Sequence, residues 1–573
     1  MIKEELKNLI VQAIKTIALE RNWSLPKDFD IPLVISEEKN YGDYSSTIAL
    51  NLSKIIEQSP ISLAELLAAE INKQQSVTIK KIEIAKPGYL NFFLTQYAFQ
   101  KELPRLKDIS SCRKIKHKSP VIVEYSSPNI AKPMHIGHLR STIIGDALAN
   151  LYQFLGYRTI RWNYLGDWGT QFGKLITAYK LWGNKKLVQQ DPINNLLALY
   201  RKFHQEAKNN SDLETLAQEE FKKLEQGDKI NRKIWSWFRA ESLKEFYTIY
   251  HALEIKFDVI KGESDFEKDL ASLIKELKNK KLAQESQGAL IIPLEKFGLP
   301  PALIQKADEA SLYLTRDLAN LIYRLKKYQP EQILYVVGNE QALYFEQLFT
   351  IAKLLNIAPN TQLEHIKFGL ILDAEKKKFS TREGELITLN EVINKGLENS
   401  LAIIKEKHPQ WPIAKQKQLA RIIALGALKF NDLKSFRTSN IIFNWQQMLN
   451  FQGNSSVYLQ YTYARFHKIL SQAPKPQPYD ENLLTQDLEI ALIKELLEFE
   501  TVIKKSALAY SPHLLANYLL SLADLLNNYY ETIPILKETN IKRRHSQLLL
   551  LQSANLILKQ GMKILGINAV KEI

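Results

Sequence analysis

Residues 126 to 142 read SSPNIAKPMHIGHLRST, with two histidines, a lysine, two prolines and a glycine in one short stretch. The preceding VIVEYSS is an apolar strand-like run, Pro128 and Pro133 forbid an early helix, and GHLRSTIIGDALANLYQFLG has helical 3.6-residue spacing. The loop therefore falls between a strand end and a helix amino terminus. Unpaired backbone N–H groups and the positive end of the helix dipole favour phosphate there. His135 and His138 can donate to phosphate oxygens, Lys132 adds a point charge, and Gly137 lets a base or phosphate come close to the backbone. A metal pair is the other reading of the histidines. It needs a third protein ligand, and neither a cysteine cluster nor HExxH accompanies them.

The elements that must position this loop are α/β in pattern. Strand candidates VIVEYSS (121–127), TIRWNYL (159–165), QILYVV (332–337) and IKFGLIL (366–372) alternate with helical segments. This predicts a Rossmann-like, doubly wound parallel sheet over residues 106–390, with ligands at the carboxyl ends of its strands. A long helical insertion is expected from about Gly173 to Phe257. Residues 1–105 read as an α+β domain in which VTIKKIEIAK alternates and KPGYLNFFL follows. A basic, nonperiodic linker, roughly Leu103 to Pro120, closes it. Residues 391–573 read as all-α, interrupted by the Pro-rich APKPQPYD at 473–480.

A chain of 573 residues supports several hydrophobic cores, and 45% hydrophobic with 24% charged residues is an ordinary globular composition. A single cysteine, Cys112, excludes an intramolecular disulfide and a cysteine-based zinc cluster, which fits a cytoplasmic setting. Ile2, Leu6, Leu9, Ile10, Ala13, Ile14 and Ile17 predict an amphipathic amino-terminal helix rather than a leader. No stretch reaches the ~18 apolar residues of a membrane span. The net charge of +15, from 77 Lys and Arg against 62 Asp and Glu, suits a polyanionic partner.

HIGH at 135–138 is the signature tetrapeptide of class I aminoacyl-tRNA synthetases, and SPNIAKPMHIGHLRST strongly resembles arginyl-tRNA synthetases. GDWGTQFGKL, FDVIKGES, SLYLTRDLAN, YVVGNEQ and KFSTREG follow in that family's order. KNYGDYSS and KPGYLNFFL precede the catalytic part as expected, and FRTSNIIFNW and VYLQYTYAR come after it. The resemblance implies that Lys378, Phe379, Ser380 and Thr381 are the counterpart of the mobile KMSK loop, with threonine in place of the second lysine. Departing pyrophosphate still needs a cation, and Lys132, three residues before His135, is the expected substitute.

The resemblance also implies a site for the substrate L-arginine. A planar, permanent cation calls for carboxylates in fork geometry and an aromatic wall. Tyr313 and Asp317 share a helix face by their i,i+4 spacing; the family adds Glu263 as a second acid, with Gln341 nearby. Ser127, Asn129 and His138 would hold the amino and carboxylate ends. Carboxylates left unpaired by a wrong amino acid supply discrimination of ~10⁴, so no editing domain is needed.

For tRNA(Arg), the resemblance assigns Tyr41, Tyr44, Asn91 and Phe92 to an amino-terminal domain that contacts the outer corner of the molecule. Tyr458, Tyr461, Arg465, Arg543 and Arg544 fall in a helical anticodon-binding domain, where aromatic stacking and basic side chains would grip single-stranded bases. The closing GINAVKEI departs from the usual family ending. The expected enzyme is a cytoplasmic monomer with no membrane partner. It uses ATP with Mg²⁺, no zinc and no metal held by protein ligands, and activates arginine only with tRNA bound. A nucleotidyltransferase acting without tRNA and a noncatalytic RNA-binding relative are the rival readings.

Overall fold

The computed structural model describes residues 2–26, 29–36, 38–108, 119–305, 313–373, 375–377, 387–473 and 479–573. The chain divides into two compact units. One comprises Met1–Ile109, Phe466–Phe499 and Ser521–Ile557, and the other Ser110–Arg465, Glu500–Leu520 and Leu558–Ile573.

In the second unit five parallel strands form the central sheet: β1 (Val121–Glu124), β2 (Thr159–Leu165), β3 (Val259–Gly262), β4 (Gln332–Tyr335) and β5 (Gln362–His365). Their spatial order is β5-β4-β1-β2-β3. Every residue of β1 is buried, as expected of a central strand covered on both faces. The order reverses between β1 and β4, and a doubly wound sheet binds ligands at the strand ends of such a switch point. The chain leaves β1 there and enters helix α1 (Ile136–Phe154).

One expectation about strands is corrected, and one small sheet was not foreseen. IKFGLIL does not supply the fifth strand: β5 is the preceding QLEH, and Ile371–Leu372 pairs instead with Ile441–Ile442. Between β3 and β4 lies a three-stranded antiparallel sheet, Gln284–Ser286, Ala289–Ile292 and Ala302–Gln305, whose segments are too short to show alternation. The helical insertion runs through α2 (Thr170–Trp182) to α3 (Lys229–Ala252), so it begins slightly before Gly173. Helices α4 (Tyr313–Tyr328) and α5 (Ala342–Leu354) flank β4 in sequence.

In the first unit a four-stranded antiparallel sheet has the order Leu33–Ile35, Tyr44–Ser46, Tyr89–Leu94, Ile79–Ala85. The helix Ile2–Arg21 buries Ile2, Leu6, Ile10, Ala13, Ile14 and Ile17 at the expected spacing, while Leu9 stays half-buried. Asp43 accepts from the Leu94 N–H at 2.8 Å and from Lys494 at 2.5 Å, so the acid of GDYSS is a structural tie. Among the described residues no helix is long and apolar enough to cross a membrane.

Candidate active site

The loop after β1 is fastened by both histidines. His135 caps α1: its Nδ1 accepts from the Gly137 N–H at 3.1 Å, and its own N–H donates to His138 Nδ1 at 3.1 Å. With both Nδ1 atoms used as acceptors, the proton of each neutral ring sits on Nε2, leaving that N–H to donate elsewhere. Burial lowers the His135 pKa, with Lys132 adding to it, and burial takes that of His138 down to about 3. Near neutral pH both rings are therefore neutral donors, and Lys132 supplies the positive charge. Its ammonium lies 5.3 Å from the centre of the Tyr200 ring.

Segments on either side hold the loop. Ile136 N–H donates to Ile387 O at 3.0 Å and Leu389 N–H to Met134 O at 2.8 Å, which anchors the chain just after the KFSTREG stretch beside the signature loop. Lys378, Phe379, Ser380, Thr381 and Cys112 lie outside the described residues. Ile130 N–H donates to Gly166 O and Gly166 N–H to Pro128 O, both at 3.2 Å. A Cβ at Gly166 would sit 1.9 Å from Asn129 Oδ1, so a larger residue there would displace the Asn129 side chain.

From Gly166 the contacts lead to the acids. The next residue, buried Asp167, accepts from Ser264 N–H at 2.9 Å, Ser264 Oγ at 3.0 Å and Arg239 Nε at 2.7 Å, which fixes the turn that carries Glu263. A Cβ at Gly262 would meet Asp167 Oδ2 at 2.0 Å. Glu263 is buried and its Oε2 has no hydrogen-bond partner among the described residues. Burial first, then Asp317 and Asp167, push its pKa well above the carboxylate range. Asp317 accepts from the Tyr344 hydroxyl, and burial raises its pKa to about 7. The Tyr164 phenol stands within electrostatic range of both acids. Two acids held together, one with an unpartnered oxygen, are suited to a cation that arrives from outside.

The structure brings several expected residues together. Tyr313 and Asp317 lie on the first turns of α4; Tyr313 is exposed, and Glu263 is the first charge that acts on its phenol. Ser127 Oγ is buried without a partner among the described residues, and Asn129 is exposed on the same loop. Gln341 sits exposed before α5 and is not among the groups bonded to either acid among the described residues. Sequence reasoning missed Tyr344, Asp167 and Arg316, whose Nη1 donates to Glu263 O at 3.2 Å. Asp167 had a signal in the GDWG stretch, whereas Tyr344 had none, since only the fold brings α5 to α4.

Three of the RNA-contact expectations, Asn91, Phe92 and Arg543, are corrected. Phe92 is fully buried and Asn91 is 4% exposed, its Oδ1 accepting from Ser45 Oγ at 2.8 Å, so both belong to the sheet's interior. Arg543 donates to Leu483 O and pairs with Glu489 at 2.8 Å and Glu538 at 3.0 Å, an internal cation rather than a phosphate contact. Arg544 is half-buried and reaches Glu538 O at 3.4 Å. Tyr41 and Tyr461 are exposed, at 50% and 41%, while Tyr44, Tyr458 and Arg465 are half-buried.

The parallel sheet and its histidine-capped switch-point loop are those of a class I aminoacyl-tRNA synthetase. The family model for the class I (R) catalytic domain matches residues 105–445, the DALR anticodon-binding domain 459–573, and the arginyl-tRNA synthetase N-terminal domain 4–94. An arginine–tRNA ligase of Pediococcus pentosaceus is 39% identical over 94% of this chain and 95% of its own length. One of Ligilactobacillus salivarius is 40% identical over 93% and 94%. The crystal structure of the Plasmodium falciparum arginyl-tRNA synthetase superposes with a TM-score of 0.81 at 26% identity, covering 100% of this chain and 99% of that one. The chain belongs to the arginyl-tRNA synthetase family.

Proposed function

We infer that the chain activates L-arginine with ATP, releasing pyrophosphate, and passes the arginyl group to the 3′-terminal ribose of tRNA(Arg). The observation that carries this reading is the run of contacts from the signature loop through Gly166 and Asp167 to Ser264, next to Glu263. It ties a phosphate-type loop to a buried acid with one oxygen unpaired among the described residues. The attacking carboxylate belongs to the substrate, so catalysis rests on positioning and charge. Glu263 and Asp317 hold the guanidinium against Tyr313, while Ser127 and Asn129 meet the amino and carboxylate groups. His135 and His138 donate through Nε2–H to the nucleotide, and Lys132 neutralises charge that develops on the leaving phosphates.

Among the described residues no group of three or more His, Cys, Asp or Glu lies together to cage a metal ion. Mg²⁺ would enter with ATP on its phosphate oxygens, where it would add charge neutralisation. Activation depends on bound tRNA, and the enzyme acts as a monomer, for which sedimentation at a 66.1 kDa mass is the check. ATP–pyrophosphate exchange, run with and without tRNA, tests the reading. L-arginine supports exchange only with tRNA present, and L-citrulline, which has the shape without the charge, supports none. Equal exchange with citrulline, or exchange with another amino acid alone, overturns it.

A further inference from the structure

Three non-glycine residues of the signature loop have left-handed backbone: Ser126 at φ 72°, Ser127 at φ 44° and Ala131 at φ 61°. L-residues seldom adopt this region, because Cβ crowds the neighbouring carbonyl, and they keep it only where their surroundings enforce it. Two of the enforcing bonds come from α3, the last helix of the insertion. Ser242, buried mid-helix, donates its hydroxyl proton to Phe238 O at 2.7 Å, which leaves a lone pair to accept the Ala131 N–H at 2.9 Å. Tyr250, eight residues on, bonds through its hydroxyl to Ser126 Oγ at 2.8 Å and accepts from Asn163 Nδ2 on β2 at 3.0 Å. Ser141 of α1 completes the set, accepting the Ser126 N–H at 2.9 Å and donating to Val336 O at 2.7 Å.

We propose that Tyr250 and Ser242 are positioning residues, through which the helical insertion holds the signature loop in the strained conformation that presents Ser127, Asn129 and Lys132 to the substrates. The proposal rests on the reading of that loop as the arginine and ATP site. Without the clamp the competent loop is only a fraction of the population, and the apparent affinities for arginine and ATP weaken together by that fraction.

Glycine is indifferent to the sign of φ, so a clamp that works by holding strain becomes dispensable once the strained residue is glycine. In tRNA-dependent exchange, Ser242→Ala should lower kcat/KM by ~10-fold, with both KM values rising, as expected for loss of one buried hydrogen bond. Ala131→Gly added to Ser242→Ala should restore it to within ~2-fold, which a simple packing defect in α3 would not do. Should Ser242→Ala fail to fold, Ser242→Cys, whose thiol is only a weak acceptor, with Ala131→Gly gives the same comparison. Single variants within twofold of the parent, or no rescue by glycine, overturn the proposal. An inactive parent would instead overturn the assigned activity, so the two failures are distinguishable.

Discussion

In the proposed site the nucleotide side is built within one stretch, from Lys132 to His138, whereas the guanidinium side is drawn from the turn after β3, from α4 and from α5, which supply Glu263, Asp317 and Tyr344. The first uses neutral donors and one lysine, with charge and hydrogen bonding set by neighbours in sequence. The second buries its acids, so that burial above all holds their pKa values up until a cation comes. A phosphate site can thus be a local device, because a helix amino terminus already supplies most of it. A selective cation pocket has to be assembled by the fold.

The sharpest break in that comparison is Asp317→Asn. It replaces a charge-assisted contact with a neutral one, and kcat/KM for arginine should fall by ~10³-fold while the KM for ATP stays near the parent's. Steady-state exchange with each substrate varied in turn is the check. Lys132→Ala should do the reverse at a smaller size, lowering adenylate formation by ~10²-fold with arginine affinity nearly unchanged, as removal of a transition-state charge does. Activity within twofold of the parent would return pyrophosphate stabilisation to another cation.

These sizes bear on what the sequence could show. The switch-point loop was legible because two prolines, HIGH and a 3.6-residue pattern are all local, and the Tyr313 and Asp317 spacing is a property of one helix. Tyr344 was not, because its role depends on how α5 packs against α4. IKFGLIL misled because an apolar run identifies a strand without naming its partner, and Ile371 pairs with Ile441 outside the main sheet. NIKRRHS looked like an RNA contact because sequence shows the charge of Arg543 and hides Glu489 and Glu538. Asn91 and Phe92 sit on a strand whose motif serves the interior of its own sheet.

Arg543→Ala extends the comparison to a cation that serves only the fold. Removal leaves the buried Glu489 without its ion partner, so unfolding by heat or urea should show a loss of about 2 kcal/mol, with the salt dependence of tRNA binding unchanged. A flattened salt slope with normal stability would make Arg543 a phosphate contact after all.

The two sides must also answer differently to pH. An Asp317 carboxyl raised from the ordinary 3.8 to about 7 keeps its proton in the folded state across a window in which the unfolded chain has lost it. Stability of the substrate-free protein therefore falls as pH rises from about 4 to 7 through this group, and arginine should restore more of it at pH 7.5 than at pH 5.5. The guanidinium needs the ionised acid, so arginine binding releases a proton. The most direct test is the parent enzyme's KM for arginine and for ATP with Mg²⁺, measured in exchange from pH 6 to pH 8. The account predicts that the arginine KM falls by up to ~10-fold per unit as pH rises toward 7, with the ATP KM nearly flat because His138 stays neutral throughout. An arginine KM independent of pH, or an ATP KM that tracks it, would contradict the account.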